Sequence, residues 1–350
     1  MPSASAPDTL RRRPALFWLR FPDEATACLA CASPRLRLVD VIPVPRDGRG
    51  RRVSFIAGCR ECGLLFANPP RPRDELERYY SPDGPWAVSH AERMKRVEAK
   101  YLKRLTKNRP PKPRQRRGAR DLLLDAFEPH VDVHHPGPGA KALDFGCGDG
   151  KFLDRLQAWG WDTFGIEPST QLAFLRHHRL EVPPQDGSCD LVILHHVLEH
   201  MPEPLAVLRA LAGALREGGA LFVSVPNLDA VARHGDRHYC INARTHIVSF
   251  SETCLRGLLA RAGFAVAARL NHGLDEVLTE GKPLRLRLLA TRTSAPLPLP
   301  REPLMPAVRA LRAWARANGG SRFANILPVR MRAALMDRAR ERSRGRRAEG

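Results

Sequence analysis

Three groups of residues in this chain have types and spacings that could do chemistry. The first is Asp144-Phe145-Gly146-Cys147-Gly148-Asp149-Gly150. It follows a short apolar run and opens a helical one, so it reads as a strand-to-helix turn. Glycines there let the backbone turn tightly and let a ligand approach the chain closely. The spacing is neither the Gly-x-Gly-x-x-Gly of a dinucleotide fold nor a phosphate loop ending in Gly-Lys-Ser/Thr. With Asp144 and Asp149 beside it, the loop suits a positively charged ligand better than a pyrophosphate. Glu167 ends the following strand, where a carboxylate can accept both hydroxyls of a ribose.

The second group is His195-His196-Val197-Leu198-Glu199-His200, at the end of another strand. If a helical turn starts there, His196, Glu199 and His200 share one face. Three readings fit. One is a general base, because an imidazole near neutral pKa can take a proton from a hydroxyl. The others are a metal site and a structural role bonded to backbone. His246 and Tyr239, in the segment after Asn227, are further base candidates, against a plain surface loop.

The third group is Cys28-x-x-Cys31 and Cys59-x-x-Cys62. Two such knuckles bring four thiolates into tetrahedral reach, the arrangement of a structural zinc ribbon. Strand-like runs at 35–44 and 53–57, around Asp47-Gly48-Arg49-Gly50, fill the gap as a hairpin. A four-thiolate iron site or two redox pairs are the alternatives. A closed four-thiolate site is structural rather than catalytic. Cys147, Cys189, Cys240 and Cys254 have no partner spacing and read as ordinary thiols.

Positioning the first two groups takes an α/β scaffold. Strands are expected at 141–145, 162–166, 190–195 and 220–225, with helices at 151–159, 170–178 and 204–215. That alternation predicts a parallel sheet with helices on both faces. A helix at 251–262 starts at a Ser251 cap and stops at Gly263. Strands at 264–270 and 284–291 follow, joined by a non-helical loop and so paired antiparallel. Residues 71–106 read as helical.

The chain has 350 residues and a formal net charge of +20. No apolar run approaches the roughly 18 residues of a membrane span. The apolar stretch after Arg11-Arg12-Arg13 is too short for a secretory signal, and eight cysteines are too few for a disulfide scaffold. A cytoplasmic protein is expected. The basic excess sits in the flanks: residues 1–120 carry 27 basic and 12 acidic side chains, 121–270 carry 13 and 18, and 271–350 carry 17 and 7. Of the basic residues 49 are Arg and 8 Lys, a mixture that GC-rich coding alone would write, with an anionic partner as the rival reading. The organisation is an arm at 1–25, a zinc ribbon at 26–70, a helical and basic Pro-rich linker at 71–120, an α/β domain at 121–292 and a basic helical tail at 293–350.

The α/β domain resembles a known family. Leu143 to Gly150, Gly165-Ile166-Glu167-Pro168-Ser169 and Cys189 to His200 look like successive motifs of class I S-adenosylmethionine-dependent methyltransferases. Leu215 to Leu221, Ser224-Val225-Pro226-Asn227 and His246 to Ser251 continue the match. The resemblance implies a Rossmann-like seven-stranded sheet with an antiparallel last strand. It implies that Gly146, Cys147 and Gly148 line the methionine part of S-adenosylmethionine and that Glu167 holds its ribose. Asp144, Gly150 and His195 complete the expected cofactor set. Family members usually carry a further strand and helix between Glu167 and the Asp190 strand. Only 168–189 is available here, with Asp186 the candidate for the adenine-binding acid. Ubiquinone-type O-methyltransferases in the family bind a divalent ion through Glu-x-x-Glu-His. His196 stands first here, which weakens a hard-cation site.

Cys59-x-x-Cys62-Gly63-Leu64-Leu65-Phe66-x-Asn68-Pro69 resembles the N-terminal ribbon of a bacterial subset that includes deoxysugar C-methyltransferases. Tyr79, Tyr80 and Trp86 follow it and are candidates for a substrate lid, against a packed linker helix. The expected activity is O- or C-methylation of a small molecule: a sugar, lipid, quinone or secondary-metabolite intermediate. An RNA or tRNA methyltransferase using the basic flanks is the alternative. The Asp190 strand lacks the Asn/Asp-Pro-Pro-Tyr signature of base-methylating enzymes, and the flanks lack base-stacking aromatics. A non-catalytic scaffold with a degenerate cofactor fold is the third reading.

Overall fold

The computed structural model describes residues 27–43, 53–105, 123–170, 173–233, 240–242, 245–270, 284–295 and 297. The expected arm, most of the Pro-rich part of the linker and the tail helices lie outside these, as does Tyr239.

The N-terminal part is a small antiparallel sheet of β1 (Leu36–Pro43), β2 (Val53–Cys59) and β3 (Leu65–Asn68). Two helices follow, α1 (Arg73–Tyr80) and α2 (Pro85–Leu105), so the expected helical stretch is broken at 81–84. In α1, Asp74 and Glu75 lie in the first turn and Arg78 in the last, which complements the helix dipole. Of its side chains Leu76 is buried.

The main sheet has seven strands. In chain order they are β4 (Lys141–Phe145), β5 (Asp162–Ile166), β6 (His178–Arg179), β7 (Cys189–His195), β8 (Leu215–Pro226), β10 (Phe264–Arg269) and β11 (Arg285–Arg292). Their spatial order is β10-β11-β8-β7-β4-β5-β6. β6, β5, β4, β7 and β8 run parallel, and β11 is antiparallel to both its neighbours. The expected antiparallel last strand is therefore present. α3 (Lys151–Ala158), α4 (Pro204–Ala214) and α5 (Glu252–Arg261) cover the faces.

β7 reads as a continuous apolar run because both its faces are covered. Val192 and Leu194 pack with Leu143, Val223, Leu255 and Leu258 on one side. Leu191 and Ile193 pack with Ala142, Phe152, Phe127 and Phe222 on the other. Ser251 caps α5 as expected, its hydroxyl accepting from the Cys254 N–H at 3.1 Å.

Two expectations change. The helix expected at 170–178 is a 3-10 turn at Ala173–Leu175 followed by β6. Tertiary hooks override the local helical pattern: Arg176 Nε donates to Asp154 Oδ1 at 2.6 Å, His177 Nε2 stands 3.0 Å from the same atom, and His177 Nδ1 stands 2.9 Å from Thr163 Oγ1. This brings the short strand alongside Phe164 and Gly165. The N-terminal sheet also takes a fourth strand from the α/β region. β9 (Val248–Ser249) pairs with β3, giving the order β1-β2-β3-β9. Among the described residues no helix is long and apolar enough to cross a membrane.

Candidate active site

Because β4, β5 and β7 are parallel, Phe145, Ile166 and His195 end at one edge of the sheet. The glycine loop, Glu167 and the histidines follow those ends, in the crevice where α/β sheets bind ligands. Gly146 has φ +79°, and a Cβ there would collide with the Val197 side chain. Gly148 has φ +56° and nothing within 4 Å of where its Cβ would stand, so space above it is open to a ligand. The Gly148 N–H donates to Glu167 Oε2 at 2.9 Å. The Ser169 N–H donates to Glu167 Oε1 at 2.8 Å, and the Ser169 hydroxyl donates to the same oxygen. The carboxylate is thus fixed against the loop.

Asp144 is buried, and Asp149 is buried beside Lys151, with which it pairs. Burial, then the charges of Asp144 and Glu167, push the Cys147 thiol up. The pocket therefore favours a cation over an anion, as a sulfonium requires. Gly150 opens α3, and His195 lies edge-on to Phe152 with ring centres 5.2 Å apart. The expected cofactor residues are brought to one place. Asp186 is not among them. It is exposed, accepts from the Ser188 N–H at 3.0 Å and feels Lys141, the first residue of β4, at the opposite edge.

At the β7 side, Leu198–His200 form a 3-10 turn. His196 precedes this turn with φ +56°, a left-handed conformation that costs on the order of 1 kcal/mol or more, and its ring still reaches Glu199. Its Nδ1 stands 3.0 Å from Glu199 Oε1. Glu199 is 1% exposed, and among the described residues its Oε2 has no hydrogen-bond partner. Burial alone would raise the Glu199 pKa, but the His196 hydrogen bond and the neighbouring His200 outweigh it and hold the carboxyl below its usual range.

His200 Nδ1 lies 2.8 Å from the Thr245 carbonyl oxygen and 3.0 Å from Tyr80 Oη. A carbonyl only accepts, so Nδ1 carries the proton and Nε2 is left as the basic nitrogen. His246 meets His200 edge-on with ring centres 4.8 Å apart. One ligand atom each from Glu199, His200 and His246 lies within 4.8 Å of the others. Burial, then Tyr79 and Glu199, push the Tyr80 hydroxyl up, so it stays protonated. Glu167 contributes in the same direction, which puts the phenol within the field of both carboxylates. Three of the four expected base candidates, His196, His200 and His246, thus gather around Glu199. The sequence groups Glu199 with His196 and His200 but does not announce its central place or the contact of Tyr80 with His200. A lone carboxylate inside an otherwise buried turn was the available signal.

The four cysteines of the knuckles converge. Cys28 and Cys62 sulfurs are 3.6 Å apart, Cys31 and Cys59 3.5 Å, and all four lie within 4.8 Å of one another. The Ala30 N–H donates to Cys28 Sγ and the Glu61 N–H to Cys59 Sγ, each at 3.4 Å. Hydrogen bonds from Cys28 and Cys62 hold the Cys59 thiol far below its usual range, while the same contacts push Cys28 up. Four sulfurs so close, with amides aimed at two of them, fit one tetrahedral divalent ion. Cys254, read from sequence as an isolated thiol, stands beside Cys62 and pushes that thiol up.

The strand order, the antiparallel last strand and the glycine loop at the parallel edge define a class I, S-adenosylmethionine-dependent methyltransferase fold. A family described as "Methyltransferase domain" matches residues 90–269, and the chain belongs to it. The ubiquinone biosynthesis O-methyltransferase of Xanthomonas campestris pv. campestris (strain B100) is 36% identical over 106 residues, covering 26% of this chain and 44% of that protein. Its counterpart in Xanthomonas oryzae pv. oryzae (strain PXO99A) is 34% identical over 122 residues, covering 30% and 49%. The chain thus spans about half the length of these curated relatives. Among solved structures, an S-adenosylmethionine-dependent methyltransferase from Mesorhizobium loti is 19% identical, with a TM-score of 0.39, covering 50% of this chain and 98% of that one.

Proposed function

We propose that the chain transfers a methyl group from S-adenosylmethionine to a hydroxyl oxygen of a small-molecule acceptor. When bound, the cofactor supplies an electrophilic methyl on a sulfonium. Glu167 would accept from its ribose hydroxyls, and Asp144 and Glu167 would keep the pocket negative. Nε2 of His200 would take the proton of the acceptor's hydroxyl. Thr245 and Tyr80 hold the other ring nitrogen, which fixes the tautomer. Glu199, already ionised, stabilises the imidazolium that forms. The juxtaposition of the open space above Gly148 with the Glu199–His200–His246 cluster, at one sheet edge, carries this reading.

The test is methyl transfer from isotope-labelled cofactor to separate panels of phenols, sugars and RNA fragments. Label in a hydroxylated small molecule, lowered at least ~100-fold in His200→Gln, is the expected result. Label in RNA, or equal rates in the variant, would overturn it. The orphan Glu199 Oε2 favours a second reading, in which Glu199, His200 and His246 hold a divalent cation that activates the acceptor. Loss of turnover in chelator, restored by magnesium or manganese, would distinguish it.

We assign the cysteine cluster to one structural zinc ion, in keeping with a reducing, cytoplasmic setting. Metal analysis should find one zinc per chain, lost in Cys28→Ser. The ribbon at 26–70 and the methyltransferase region at 121–292 remain the proposed divisions.

A further inference from the structure

The four-cysteine unit and the histidine cluster are joined through backbone. The Cys59 N–H donates to Leu64 O at 2.9 Å and the Gly63 N–H to Cys59 O at 3.1 Å, so the second knuckle closes directly into β3. Leu65 and Phe66 of β3 pair with Ser249 and Val248 of β9. The Ala67 N–H then donates to Ile247 O at 2.8 Å, and the Ile247 N–H donates to Glu199 O at 2.9 Å. Thr245 and His246 immediately precede Ile247. The apolar side chains along this path, Leu65, Phe66, Ile247 and Val248, are all buried. A second connection runs through α1, whose last residue, Tyr80, reaches His200 Nδ1 at 3.0 Å. A third is Cys254 of α5, buried in the same core cluster as Cys62.

We infer that the four-cysteine unit is a positioning element for the methyl-transfer site. The metal-held knuckles set β3, β3 sets β9, and β9 together with Tyr80 fixes where Glu199, His200 and His246 stand. This rests on the function proposed above. Without a cation nothing bridges the two knuckles, so the β2–β3 turn loosens. β9 is two residues long and its ladder is to β3, while the next residue, Phe250, accepts from the Leu228 N–H at 3.0 Å, so β3 is one of two anchors of this segment. The cofactor loop hangs instead on β4, β5 and α3. Loosening the cysteine unit therefore disturbs the proton-transfer geometry and leaves the cofactor pocket standing.

The test uses the full chain with 13C-labelled histidine rings, with the His200 and His246 signals assigned by His200→Gln and His246→Gln. Zinc-loaded protein is compared with chelator-stripped protein and with Ala67→Pro. The Ala67 N–H points to β9, so proline removes that bond while keeping all four cysteines. Both signals should move on stripping, and Ala67→Pro should move them with zinc still bound. S-adenosylhomocysteine affinity, by calorimetry, should stay within about twofold in both, as expected for uncoupled sites. Tyr80→Phe, which leaves the backbone intact, should move the His200 signal and leave His246 in place. Signals unmoved in all three would overturn the inference. Absence of S-adenosylhomocysteine binding in the untouched, zinc-loaded protein would instead overturn the function it rests on.

Discussion

At the β5 side of the sheet edge both oxygens of Glu167 already accept from Gly148 and Ser169, whereas at the β7 side Glu199 Oε2 accepts from none of the described residues. Both carboxylates end up at the same crevice, yet one is finished by its own chain and the other is not. Leaving a buried carboxylate oxygen unsatisfied costs about 1–3 kcal/mol. A fold keeps such a cost where a ligand or a developing charge will relieve it. This difference supports the proposal that the finished side takes the cofactor and the unfinished side the acceptor, with His200 as the proposed base.

The largest way to break this comparison is Gly146→Val. Any side chain there meets Val197 at a φ of +79°, so S-adenosylhomocysteine affinity should fall by at least ~100-fold in a calorimetric titration. The complementary change is Glu199→Gln. It keeps the shape and removes the charge, so turnover should fall ~10²-fold while cofactor affinity stays within about twofold. A variant that lost both together would erase the distinction between the two sides.

The smallest effect is expected at Asp154, which anchors the turn behind the cofactor loop. Burial opposes ionisation there, but hydrogen bonds from His177 and Arg176 prevail and lower its pKa. A folded-state pKa below the unfolded value means the pairing stabilises at neutral pH. That contribution fades as pH falls below the ordinary aspartate range, through the folded value. Asp154 is 40% exposed, so solvent screening keeps the contribution below about 1 kcal/mol. Stability of Asp154→Asn should accordingly fall less steeply than the parent's below about pH 4 and run parallel to it at higher pH in acid denaturation.

The two sides were also legible to different degrees. The glycine loop and Glu167 are local signals, each a short run at a strand end, and the sheet order follows from the alternation of strands and helices around them. The acceptor side is assembled from distant chain: Tyr80 and His200 are 120 residues apart, and Thr245 lies 45 residues beyond His200. No periodicity announces such contacts. β9 is likewise too short to carry a pattern, which is why the merging of the cysteine unit's sheet with the α/β region was not foreseen. The helix expected at 170–178 failed for a related reason, since its apolar spacing was real but Arg176 and His177 are anchored to Asp154. Asp186 was chosen by its place in the sequence, and lies at the wrong end of the strands.

Glu167 and the glycine loop are proposed to hold the cofactor. Calorimetric titration of S-adenosylhomocysteine into the full chain and into Glu167→Gln tests this most directly. The account predicts one site per chain in the parent and ~10- to 100-fold weaker binding in the variant, the worth of charge-assisted hydrogen bonds to a ribose. Equal affinity in the two proteins, or no heat in the parent, would contradict it.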